Sequence, residues 1–211
     1  MIKIEHTDVY GFEAALRGMR NPKNSWYLSD SKWGFDPVQK RSKFEIGKED
    51  MKLAKALIRA GTDHSKFMRM ITVSCDITAP MFWNAELDTY KIGTVRNSCS
   101  KMHKLKDTPI DYRAFSGDEI MKDEEFSEVF SAVIIGCERL RKLYNETGDK
   151  RYWRMMIELL PESFNQRYTW HTDYAVLRNA YHARNGHPLF EWEGFRKWIK
   201  SLPYSELITE A

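Results

Sequence analysis

The sequence predicts an α+β fold in which helices outweigh a small sheet. Residues 1–9 and 67–78 alternate with the period of a strand, and the second run is rich in β-branched residues. Residues 123–145, 149–160 and 189–201 carry apolar side chains at helical spacing instead. No repeat, linker or low-complexity stretch divides the chain, so residues 1–211 read as a single domain.

Each element has its own signal. Ile2 and Ile4 alternate with Lys3 and Glu5, a short first strand. Phe12, Ala15, Leu16 and Met19 make a helix face over residues 10–19, and Asn21-Pro22 stops it. Residues 24–43 mix Trp26, Tyr27, Trp33 and Phe35 with Ser, Asp, Gly and Pro. They read as a long aromatic loop, either a lid over a ligand or a surface loop pinned by its rings. Residues 47–60 form a helix with Met51, Leu53, Ala54, Leu57 and Ile58 inward, ended by Gly61. The strand over 67–78 ends at Ala79-Pro80, and Pro80 suits the start of a helix over 81–88. Residues 89–104 read as a polar loop and 105–119 as irregular chain. The helix over 123–145 has the clearest stripe, running Phe126, Val129, Phe130, Val133, Ile134, Cys137, Leu140 and Tyr144, and Gly148 closes it. Trp153, Met156, Ile157 and Leu160 mark the next helix, and Phe190, Trp192, Phe195, Trp198 and Ile199 the last, ended by Pro203.

Composition excludes several classes. With 42% hydrophobic and 13% aromatic residues the chain has enough apolar surface to bury a core. Its net charge of +3 is small and the two signs are interspersed, which does not indicate a nucleic-acid protein. Cys75, Cys99 and Cys137 are an odd number without metal-ligand spacing, as in a reduced cytoplasmic protein without disulfides or zinc. No apolar run reaches membrane-spanning length, and MIKIEHTD has no signal-peptide pattern.

Two stretches carry candidate chemistry. In residues 160–193 a loop holds Arg167, a helix runs to Arg184, and Asn185-Gly186-His187-Pro188 breaks it. Tyr174, Leu177, Tyr181 and Arg184 fall on one helical stripe, with Asn179 on another side. An arginine on an apolar stripe is either a ligand-binding fork, since guanidinium matches phosphate or a paired carbonyl and amide, or a side chain snorkelling at a helix C-terminus. In residues 89–104, the hydroxyls of Ser98 and Ser100, the Lys101 ammonium and nearby backbone amides suit a phosphate, though a loop of this composition is also an ordinary polar loop.

The order of these residues resembles the flavin-dependent thymidylate synthases, the ThyX family. Leu160-Pro161 leads to Arg167, Asn179 and Arg184 keep the family spacing, and one inserted residue near Gly186 brings His187 onto the family histidine. Phe190-Glu191-Trp192-Glu193 stands where the family has Ala-Gln-x-Glu, and Asp173 replaces an asparagine. VSCDITAPMFW, residues 73–83, looks like the strand and turn that precede the family signature. The Arg-His-Arg of that signature falls on Thr89-Tyr90-Lys91, so both arginines are replaced. The remainder falls on residues 96–102 in one of two alignments. Ungapped, Cys99 takes a serine position and Lys101 an arginine position; with one inserted residue, Asn97 and Ser100 match and Ser98 replaces a glutamate.

The resemblance implies a small curved antiparallel sheet flanked by helices, and a homotetramer binding FAD and a pyrimidine nucleotide. The implied reaction converts dUMP to dTMP using methylenetetrahydrofolate and NADPH. By position, Arg184 pairs with the uracil edge and stabilises charge on the ring. Arg167 holds the nucleotide, Ser98, Cys99, Ser100 and Lys101 line its phosphate, and Asn179, His187, Lys91 and Asn97 contact the cofactor. The lost arginines leave two alternatives. One is altered chemistry with Cys99 as a nucleophile beside Lys101 or His103; the other is an inactive nucleotide-binding or interaction protein on the same scaffold.

Overall fold

The computed structural model describes residues 2–38 and 40–210. In chain order the elements are β1 (Lys3–Tyr10), α1 (Phe12–Arg20), β2 (Lys32–Asp36), β3 (Arg41–Glu45), α2 (Lys48–Arg59), β4 (Thr72–Pro80), α3 (Met81–Leu87) and β5 (Val95–Ser98). There follow α4 (Lys101–Lys104), α5 (Glu124–Thr147), α6 (Lys150–Leu159), β6 (Asn165–Asp173), α7 (Tyr174–Ala183), α8 (Glu191–Lys200) and α9 (Glu206–Thr209). A four-stranded sheet has the order β1-β4-β6-β5, and β2 and β3 form a separate antiparallel pair. This is the α+β class expected, with a small antiparallel sheet.

The chain gathers into two compact units, each discontinuous in sequence. One comprises the residues up to Glu5 with Asp76–Thr89 and Arg96–Trp170; the other comprises His6–Cys75, Tyr90–Val95 and His171–Ala211.

The first unit is built on α5 and α6. Asp123 caps α5 by accepting from the Phe126 amide, and Gly148, at φ 69°, ends it. Phe130, Ile134 and Cys137 of α5 and Met156 of α6 bury with Leu105, Ile110 and Phe115. Phe126 and Val129, read as part of that stripe, are instead 55% and 58% exposed. The helical period therefore runs on beyond the face that the core covers. Residues 105–119, expected irregular, hold two short 3-10 turns and the bridge from Phe115 to Phe164. In α3, Pro80 precedes the first turn, and the amides of Met81 and Phe82 donate to the carbonyls of Phe164 and Glu162, partners far away in sequence.

In the second unit, Phe12, Leu16 and Met19 of α1, Ala54 and Ile58 of α2, Leu177 of α7, and Phe195 and Ile199 of α8 are buried. Residues 24–43 are not a loop throughout. They hold β2 and most of β3, which place Trp33 opposite Phe44 and Phe35 opposite Ser42. What precedes the hairpin is a clasp on α2. Asp30 accepts from the amides of Glu49 and Asp50 at 2.9 and 3.0 Å, and the Gly47 amide donates to Ser31 Oγ at 3.0 Å. A side chain at Gly47 would meet the Asp30 carboxyl carbon at 2.1 Å, so the clasp requires glycine there. Asp50, fully buried, accepts from Ser29 and Ser31 at 2.5 Å each and from Arg20 at 2.6 Å. The strand expected over 67–78 starts later, at Thr72, because Lys66–Met70 winds as a 3-10 turn.

Candidate functional site

The candidate residues fall into two groups, one in each unit.

In the second unit the group gathers around the end of α7. Asp173 caps this helix by accepting from the Val176 amide at 2.9 Å, and Tyr174, Leu177 and Tyr181 bury one face. The same face carries Arg184 to the C-terminal end, where it is half-buried. Its surroundings are aromatic. Arg184 Nε donates to the Tyr90 hydroxyl at 3.1 Å, and the guanidinium lies 4.8 Å from the Trp192 ring and 5.5 Å from that of Tyr90. Trp192, only 1% exposed, is the floor beneath the cation. The two rings meet edge to face at 6.4 Å. Cation–π contact and the phenol hydrogen bond restrict a long side chain that otherwise samples many rotamers.

The segment carrying Tyr90 is fixed along its length. Thr94 Oγ1 donates to the Tyr90 carbonyl at 2.7 Å and so tightens a turn. Gly93, at φ 79°, lies so near the helix start that a Cβ would be 2.8 Å from the Asp173 carboxylate. Lys91, in this turn, is exposed, and so is Asn179 on the outer side of α7, as its helical angle predicts. His187 packs edge-on against Trp192 at 6.1 Å, and its Nδ1 accepts from the Leu189 amide at 3.1 Å. That bond assigns the neutral ring's proton to Nε2. Trp192 thus neighbours both Arg184 and His187, whereas Lys91 and Asn179 are exposed on the turn and on the outer side of α7.

In the first unit, Arg167 lies on β6 and not in a loop. The alternation of Tyr168, Trp170 and Thr172, all buried, draws the segment into the sheet. Arg167 is consequently exposed on the opposite face and pairs with Asp76 of β4 at 3.0 Å. Asp76 also accepts from Thr169 at 2.7 Å. This hydrogen-bonded partnership holds the Arg167 guanidinium above its usual pKa. Residues 89–104 are likewise more ordered than expected, since they contain β5 and α4. The Cys99 amide donates to the Arg167 carbonyl at 2.9 Å, and the Cys99 carbonyl accepts from Gln166 at 2.9 Å. The Cys99 amide therefore already has a partner within the protein. The Cys99 side chain is exposed, as is Asn97; Ser98 accepts from Arg96 Nε at 2.8 Å, Ser100 is half-buried, and Lys101 Nζ lies 3.5 Å from Met81 sulfur. The His103 side chain, considered as an activator of Cys99, lies outside the described residues.

Arg96 organises this group. It holds Asp88 with two bonds of 2.8 and 2.9 Å, donates to Gln166 at 2.8 Å, and lies over the Tyr168 ring at 3.9 Å. Sequence reasoning did not single out Tyr90, Trp192, Asp76 or Arg96 as site residues. Tyr90 and Arg96 were marked only by their place within the polar stretch 89–104 and, for Tyr90, by its alignment with the signature histidine. A cavity of about 540 Å³ in the same unit, lined by Ile110, Tyr112, Met121, Ile134 and Ile135 among others, contains none of the candidate residues.

The chain has the fold of the flavin-dependent thymidylate synthases. It matches a crystal structure of ThyX from Helicobacter pylori complexed with FAD and dUMP, with a TM-score of 0.71 and 17% identity over 99% of this chain and 98% of that one. A second H. pylori ThyX structure, also with FAD and dUMP, gives a TM-score of 0.70 and 17% identity over 100% and 98%. No family model and no curated protein sequence matches the chain.

Proposed function

We propose that residues 1–211 form one flavin-dependent enzyme domain that transfers a one-carbon group to C5 of a pyrimidine nucleotide. The reaction that fits best is dUMP to dTMP with methylenetetrahydrofolate and NADPH. The observation carrying this reading is Arg184, held by Tyr90 and Trp192 at the end of α7, on a fold whose solved examples contain FAD and dUMP. A charged donor restrained before substrate arrives stabilises developing charge without reorganising first.

In this reading Arg184 binds the uracil edge and stabilises negative charge on the ring. Arg167 binds nucleotide beside Asp76, while Ser98, Cys99, Ser100 and Lys101 line the phosphate. Asn179, His187, Lys91 and Asn97 bind the cofactor. These residues carry the charge and hydrogen-bond donors that FAD would need, and FAD would supply the hydride chemistry. Lys91 contributes charge without the planar fork of the family's arginines. The assembly is a homotetramer.

A second reading, nucleotide binding without turnover, is favoured by one observation. Thr89, in place of the first signature arginine, spends its hydroxyl on the Glu86 carbonyl at 2.7 Å.

The visible absorption spectrum of the purified protein, recorded with FAD and then with dUMP added, tests the proposal. A bound-flavin spectrum that shifts with dUMP, followed by dTMP formation with methylenetetrahydrofolate and NADPH, is the expected result. Nucleotide binding with no flavin spectrum supports the second reading and rejects the first.

A further inference from the structure

We infer that Tyr90 contacts the substrate and reads a carbonyl oxygen on the pyrimidine ring, selecting a keto base over an amino base. This rests on the proposed reading that Arg184 faces the base.

Arg184 Nε donates to the Tyr90 hydroxyl at 3.1 Å, so the phenol oxygen is the acceptor in that bond. A phenol that accepts retains its own O–H, and that proton points elsewhere. Among the described residues no group accepts it. Tyr90 is half-buried, so the O–H is directed to a ligand or to water.

The hydroxyl is also well placed in space. The ring lies edge-on to buried Trp192 at 6.4 Å, and the Tyr90 backbone is held by Thr94 at 2.7 Å. A restrained O–H thus stands next to a fixed positive charge. That combination favours an oxygen acceptor, above all one that gains negative charge during reaction.

The 4-position of the ring separates the candidate bases. Uracil presents a carbonyl oxygen there, whereas cytosine presents an amino group, which is a donor. A donor facing a donor leaves both without partners in a partly desolvated site, and sites built around a hydrogen bond reject analogues that cannot make it. Tyr90 stands where the resemblance places the signature histidine, so the contact is made by a residue that departs from the family pattern.

The test is calorimetric titration of the full chain, with FAD present, using dUMP and dCMP against wild type and Tyr90→Phe. The variant loses one oxygen and keeps its ring against Trp192, and its melting temperature verifies that it folds. Wild type is expected to prefer dUMP. Tyr90→Phe is expected to weaken dUMP about 5- to 10-fold while changing dCMP by less than about 2-fold, so that the preference narrows. An unchanged dUMP affinity, or an equal loss for both nucleotides, overturns the inference while leaving the proposed function in place. Wild-type protein that binds neither nucleotide overturns both.

Discussion

Replacing Asp50 with Ala tests a buried, multiply hydrogen-bonded ion pair. The Asp50 side chain is 0% exposed and that of Arg20 5%, with contacts of 2.6 Å from Nε and from a terminal guanidinium nitrogen. Ser29 and Ser31 each donate to the other carboxylate oxygen at 2.5 Å. Truncation leaves a buried guanidinium and two hydroxyls without their acceptor. Breaking a buried pair from one side costs about 3–5 kcal/mol. For a chain of this length each kcal/mol lowers the midpoint by about 2–4 °C, so Asp50→Ala is expected to melt about 6–20 °C below wild type. Circular dichroism melts with parallel urea titrations measure this. The double variant Arg20→Met/Asp50→Leu separates the pair's net worth from the cost of orphaning a charge, and it is expected to recover most of the loss. A loss below about 1 kcal/mol for Asp50→Ala would refute the reasoning, because it would mean that water reaches Arg20 in the folded state.

The same clasp predicts an acid limb. Burial pushes the Asp50 carboxyl up, but hydrogen bonds from Ser29, Ser31 and Arg20, with the Arg20 charge, outweigh it and leave the pKa lowered. The Asp30 pKa is lowered chiefly by its bond from the Glu49 amide. Their stabilisation is complete above the unfolded carboxyl pKa of about 4 and is lost as pH falls through the folded values, so urea midpoints should fall only below about pH 4. A flat midpoint down to pH 2 would contradict this. Arg184→Lys keeps the charge and loses the planar fork; calorimetry should show dUMP binding weakened about 10- to 100-fold, and unchanged affinity would remove Arg184 from the site. In thiol labelling at pH 8, Cys99 is expected to react at once. Cys75 and Cys137, 1% and 0% exposed, react only on unfolding, and burial pushes the Cys137 thiol up to about 11. More than one fast thiol in native protein would contradict that assignment. Cys99→Ser should leave turnover intact, whereas complete loss with folding preserved would favour a nucleophilic Cys99.

The amphipathic helices were legible because their signal is local. The apolar residues of α5 and α8 that bury are spaced at three and four whatever they pack against, and Gly148 marks the end of α5 as expected. The hairpin of β2 and β3 was not legible. Its short strands lie in a segment full of turn residues, and its base is fixed by contacts to α2 about twenty positions away. In β6 the alternation of Tyr168, Trp170 and Thr172 was present, but it was short and its third inward residue is polar. Arg184 could be singled out from helical angle and spacing, while its partners could not. Tyr90 is 94 positions away, and nothing local in the sequence marks its hydroxyl as the acceptor. Arg167 was expected in a loop, and its place on β6 and its pairing with Asp76 depend on strand register, which composition does not encode.

The clasp between Ser29–Ser31 and the start of α2 also decides how the intervening segment tolerates changes in length. Because the bonds from Asp30 to the amides of Glu49 and Asp50 tie the hairpin at its base, the residues beyond the knot form a closed excursion. Doubling such a loop adds only about 0.6 kcal/mol of closure entropy. Insertions and deletions toward the turn at Pro37 and Val38, the latter 89% exposed, are therefore nearly neutral for α2, which starts beyond the hairpin. The segment is free to lengthen or shorten over evolutionary time, while Gly47, pressed against Asp30, is not free to change.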